Sequence, residues 1–333
     1  MSNHLLTLQD YEKNELGTWT LSISNGSEWW NNPENFDKVN EIIKSLFKEV
    51  SEKLAAIYVL KAIVVTSDVL EEYDRLLSGT TRKARVDSPR EGLLTGKVLT
   101  WGNAKNMETY NALVVIDEQI CAALTLEEDS VSKALIVHEL AHVAERYCTR
   151  SVCADLDEDI YLYEWEKIRL SKAKSIFSEY FAQLAAFPYY RNKEDLKSHI
   201  YHALDYLKIV KEYLDDEINK YRYSNNMNEL WPKAVAELSR VFDAIGRSIG
   251  LLSGFRDQFE QEWSNFANEI DKIDSSWTVV FNDLLNALIN FKYENINKDA
   301  FTEICNAIDK GFKAAGFVPE IRKDGSLFIH VPF

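Results

Sequence analysis

A chain of 333 residues, 46% apolar and 12% aromatic, with only 6 Pro and 12 Gly, can build a sizeable packed core. That composition excludes collagen-like, linker-rich and low-complexity architectures. A formal net charge of −15 argues against non-specific nucleic-acid binding, which needs clustered Lys and Arg.

The one local basic stretch, Arg82, Lys83, Arg85 and Arg90, reads as a solvated loop. Four cysteines, Cys121, Cys148, Cys153 and Cys305, show no CxxC spacing and read as reduced thiols. The opening MSNHLLTLQDYEKNE has no basic segment followed by an apolar run, and no window approaches 18 uncharged apolar residues. A cytoplasmic protein with no membrane partner is expected.

In chain order, residues 16–24 (LGTWTLSIS) read as a strand, ended by the turn signal Asn25-Gly26. Residues 38–54 carry Val39, Ile42, Ile43, Leu46, Phe47, Val50 and Leu54 at helical spacing. The β-branched run at 57–68 suits a buried strand, 79–92 an exposed loop, and 97–101 and 111–117 two further strands. A helix follows over about 130–148, then a polar, acidic stretch at 149–159, then a second helix over about 160–187 ending at Pro188.

From 192 onward the pattern is nearly all helix. Stripes such as Val235, Leu238, Phe242, Ile245, Ile249 and Leu252 read as core seams rather than cofactor boxes. The final SLFIHVPF (326–333) reads as one strand. The fold class expected is α+β and mostly helical. A small sheet with its helices fills one domain, 1–190, and a helical bundle fills a second, 191–333.

The chemistry sits in His138-Glu139-Leu140-Ala141-His142. Residues four apart on a helix differ by about 40° around the axis and about 6 Å along it, so both imidazoles reach one ion. Zinc takes imidazole nitrogen at about 2.0–2.1 Å, and catalytic sites keep three protein ligands plus an open position. Glu139 lies about 100° round the helix from His138, where a carboxylate reaches a water in that open position without binding the metal. In a chain with six histidines, such a string arises by chance in roughly one sequence in a hundred. Every residue between Lys133 and Glu145 outside the motif is apolar, so the helix is expected to be buried. Two core histidines bonded to backbone or carboxylates are the plain alternative. A bound metal satisfies all three polar groups at once.

The HELAH string resembles the active helix of zincin metallopeptidases. In the gluzincin branch, a Glu from a following helix completes the metal site, and Ser178-Glu179-Tyr180-Phe181-Ala182 is similar to that second motif. The resemblance covers about residues 55–187, and only the two short motifs in it are specific. It implies zinc (Zn2+) held by His138, His142 and Glu179, Glu139 as catalytic base, and a peptide or protein substrate held extended along an edge strand, within 97–117. The metzincin pattern is absent, because Val-Ala-Glu-Arg-Tyr follows His142. The long helical half does not match the compact peptidases that cleave phage repressors.

Other acids compete for the third ligand. Glu145 lies on the same side of the helix as both histidines, although three ligands from one helix strain a tetrahedral site. Asp155, Asp157 and Glu158 occupy a polar stretch. Tyr180, His199, Tyr201 and His202 are candidates for stabilising an oxyanion. Glu118 reads as a substrate-amine anchor or a surface residue. Two other classes stand beside the peptidase. One is a regulatory or interaction protein whose helical half binds a protein partner, with the zinc site structural or switched. The other is a zinc hydrolase acting on a non-peptide bond.

Overall fold

The computed structural model describes residues 7–78, 96–103, 105–126, 129–152, 163–191, 193–255, 259–291 and 301–332. The chain is α+β and mostly helical, with a four-stranded mixed sheet and a separate two-stranded one. It divides into two units, residues 1–152 with 188–191, and residues 153–187 with 192–333.

The first unit opens with α1 (Leu8–Tyr11), β1 (Thr20–Ile23) and α2 (Pro33–Ser51), followed by β2 (Leu60–Thr66) and α3 (Val69–Leu77). Then come β3 (Gly96–Gly102), β4 (Tyr110–Asp117), α4 (Glu118–Ala123) and α5 (Val131–Val152). The sheet order is β1-β2-β4-β3, with β1, β2 and β4 parallel and β3 antiparallel to β4. All residues of β2 and β4 are buried, as unbroken apolar runs must be when both faces of a sheet are covered.

Alternation divides the two faces. Ile63, Val65, Val114 and Ile116 pack with α2 and α5. Val64, Leu113 and Val115 pack with Tyr11, Val69 and Leu76 from α1 and α3. A register shift between Leu60 and Ala62 puts Leu60 on the α5 face with Ile63.

The strand expected at 16–24 shortens to four residues, and the turn after it holds Asn25 at φ 58°. The helix expected at 38–54 starts earlier, at Pro33, because Asn32 caps it by accepting from the Glu34 N–H. α3 follows β2 directly; Asp68 accepts from the Glu71 N–H at its start. The loop at 79–92, with its four basic residues, lies outside the described residues. So do Cys153, Asp155, Asp157 and Glu158.

The second unit contains α6 (Glu164–Ala186), α7 (Lys193–Ser224), α8 (Met227–Gly254), α9 (Phe259–Ile273), α10 (Ser275–Ile289) and α11 (Thr302–Ala314). The helices are followed by an antiparallel hairpin of β5 (Val318–Ile321) and β6 (Leu327–His330). The strand expected at 326–333 is β6, and its partner β5, with Pro319 inside it, gave no strand signal by itself. α6 and α8 run parallel and touch through backbone. A Cβ on Gly246 would lie 2.7 Å from the Ile176 carbonyl oxygen, and one on Gly250 would lie 2.5 Å from that of Tyr180. Trp165, Trp231, Phe312, Phe242 and Trp277 form a chain of ring contacts through this core. No described helix is long and apolar enough to cross a membrane.

Candidate metal centre

α5 begins where Asp129 accepts from both the backbone N–H and the hydroxyl of Ser132. Ala134, Ile136, Val137, Leu140, Ala141, Val143 and Ala144 are all buried along it. Burial on nearly every side removes the amphipathic stripe of an ordinary surface helix. It also takes the two imidazoles out of water: His138 is 8% exposed and His142 5%.

Their rings meet edge to face, 4.5 Å between centroids, with Nε2 of His138 3.0 Å from Nε2 of His142. Two nitrogens bound to one tetrahedral zinc at about 2.0–2.1 Å are about 3.3 Å apart. The pair thus comes within a few tenths of an ångström of ligand spacing, with the same nitrogen of each ring turned to a common point. The donor set fits a borderline-soft ion such as zinc, which accepts neutral imidazole.

Glu139 lies beside the first residue of β3. A Cβ built on Gly96 would meet the Glu139 side chain at 2.8 Å from Cγ and Cδ and 2.9 Å from Oε1. Glycine is therefore what lets the carboxylate sit against the strand. β3 is an edge of the sheet, whereas β4 lies between β2 and β3. Of the stretch 97–117, β3 is thus the edge strand among the described residues. Arg146, two turns along α5 from Glu139, donates from Nη1 to the Val98 carbonyl and ties the helix to the same strand.

Glu179 belongs to α6 in the second unit. It is half-buried, its side chain 21% exposed, and its Oε2 lies 3.0 Å from Arg247 Nε in an ion pair. One turn earlier on each helix, Ser175 donates to Asp243 at 2.7 Å. Burial pushes the Asp243 carboxyl up to about 6; Lys172 opposes the shift and Glu179 adds to it.

No family model, curated protein or solved structure matches this chain. The assignment of a function therefore rests on the residues themselves.

Glu145 is 2% exposed and accepts from the Thr149 hydroxyl, so it is a buried acid of α5 rather than a surface one. Glu118 accepts from the Ser27 N–H at 2.7 Å, which gives it a structural role at the start of a 3₁₀ turn, Glu28–Asn31. Among the oxyanion candidates, His199 and His202 are exposed on α7, and Tyr201 packs edge-on against Phe266. Tyr180 is buried, and burial raises the pKa of its hydroxyl. Buried Cys121 and Cys305 are thiols whose pKa values burial raises, that of Cys305 to about 11, which keeps both protonated and unreactive.

Two residues of consequence carried weak sequence signals or none. Arg247 stands in an apolar helix between glycines spaced by four (Gly246, Gly250, Gly254), a pattern that marks close helix contact. Gly96 adjoins a loop-like stretch, and nothing in its surroundings pointed to Glu139.

Proposed function

We propose that this protein is a zinc-dependent hydrolase, a metallopeptidase of the His-Glu-x-x-His type, with His138, His142 and Glu179 as ligands. The observation that carries the reading is the buried pair of imidazoles with both Nε2 atoms turned to one point and Glu139 next along the helix. As third ligand we assign Glu179. The likeness of Ser178–Ala182 to the second gluzincin motif supports that choice. Zinc, when bound, supplies a Lewis-acidic centre that polarises a water and a carbonyl group.

The residues of the chain do the rest. Glu139 takes a proton from the attacking water and delivers it to the leaving amine. Its place against Gly96 brings the base to the edge strand β3, whose backbone groups would pair with an extended peptide. That juxtaposition supports peptide bonds over other carbonyl substrates. The apolar shell around α5 excludes water and strengthens every electrostatic interaction in the site.

The test is metal content of the purified full chain, with His138→Ala, Glu179→Ala and Glu139→Gln alongside. The reading expects about one zinc per chain, lost or weakened in the first two variants and kept in the third. Peptide cleavage by the wild type should disappear in Glu139→Gln. A wild type that takes up no zinc when supplied with it refutes the proposal.

A further inference from the structure

We infer that Arg247 is a positioning residue for Glu179, holding one carboxylate oxygen so that the other faces the metal; this rests on the ligand assignment proposed above. Glu179 is half-buried and long, and an unrestrained side chain of this kind samples several rotamers. Fixing it costs side-chain entropy. A metal that must itself order its ligand binds more weakly by that amount.

The guanidinium removes most of this cost in advance. Its Nε lies 3.0 Å from Oε2 in an ion pair, and we assign Oε1 to the metal. The arrangement depends on how α6 and α8 pack. Gly246 and Gly250 flank Arg247 on its helix and press against the backbone of α6 at Ile176 and Tyr180. Such close approach sets Arg247 opposite Glu179 in the parallel pair, as Asp243 is set opposite Ser175 one turn earlier. The carboxylate of Asp243, at i−4 from Arg247, offsets part of the positive charge brought towards a dication. Partners of metal ligands act in this way elsewhere, and losing one weakens metal binding about 10–100-fold.

The experiment measures zinc affinity of the full chain by competition with a chromophoric chelator, alone and without substrate. Arg247→Ala is expected to weaken zinc binding about 10–100-fold. Arg247→Lys should recover part of the loss, since ammonium supplies charge but not the planar donor geometry. Arg247→Met preserves the apolar stem and serves if truncation to Ala loosens the α6–α8 contact. In a Glu179→Ala background, removal of Arg247 should change zinc affinity no further, whereas a merely structural role lowers affinity and melting temperature in both backgrounds.

Unchanged or tighter zinc binding in Arg247→Ala, with binding lost in Glu179→Ala, overturns this inference and leaves the ligand assignment intact. Equal losses in both backgrounds also overturn it. Full affinity in Glu179→Ala removes the third ligand itself, and the role of Arg247 falls with it; that result is read from a different variant.

Discussion

Gly96→Ala is expected to move Glu139, the proposed base, from its place beside β3. The added Cβ would stand 2.8 Å from Cγ and Cδ of Glu139, whereas ordinary contacts are 3.4–4 Å, so the carboxylate must retreat by at least 0.6 Å (3.4 minus 2.8). The obstructed group is the far end of a flexible side chain, so the fold is expected to yield cheaply. An off-rotamer Glu139 costs about 0.5–1.5 kcal/mol, and a strand gains slightly from losing a glycine. Catalysis is less tolerant: a misplacement of about 1 Å costs on the order of 10²-fold. The expected result is a 10–100-fold fall in kcat, about 1.4–2.7 kcal/mol of barrier, with zinc content unchanged. The assay compares zinc-loaded wild type, Gly96→Ala and Glu139→Gln on a peptide library read by mass spectrometry, with Glu139→Gln setting the floor. Zinc-bound Gly96→Ala that cleaves at the wild-type rate would refute the placement of the base against β3.

Other expectations concern stability. Gly250→Ala puts a methyl 2.5 Å from the Tyr180 carbonyl oxygen, and backbone cannot step aside as a side chain does, so α6 and α8 must separate. The strain, about 1–3 kcal/mol, should outweigh the ~1 kcal/mol gain in helix propensity, and thermal unfolding should show a lower Tm. Glu72→Ala removes the buried carboxylate that accepts from Ser24 Oγ at 2.8 Å and from Arg75 Nε at 2.7 Å. Urea titration should give a loss of about 3 kcal/mol, and a loss below about 1 kcal/mol would show that the pair is worth no more than a surface one.

Asp243 titrates at about 6 when folded against an ordinary 3.8, mainly through burial, so folding favours its protonated form. Its contribution to stability is intact below pH 4 and is lost as pH rises through 6. Two units correspond to an upper bound of about 3 kcal/mol, and since the residue keeps some exposed surface about 1–2 kcal/mol is expected. In the metal-free protein, Asp243→Asn should therefore raise Tm at pH 8 and leave it nearly unchanged at pH 4. A destabilised variant at pH 8 would show that the charge is needed.

The sequence by itself determined what periodicity and local chemistry encode. The β-branched run at 57–68 suited a buried strand and 111–117 read as a further one, and β2 and β4, both fully buried, lie there. The spacing of His138 and His142 fixed the direction of two imidazoles, because an α-helix repeats on a nearly constant angle. Short elements were less legible. β5 has four residues with Pro319 among them, and a strand that short is stabilised by its partner more than by its own residues.

Tertiary structure decided that β3 is an edge strand, since β3 precedes β4 in the chain yet lies outside it in the sheet. It also decided that Gly96 meets Glu139 and that Arg247 meets Glu179, contacts 43 and 68 residues apart (139 minus 96, 247 minus 179). No local pattern specifies such pairs. They follow from burying many side chains at once, and only the packed chain fixes where a glycine makes room and where a charge finds its partner.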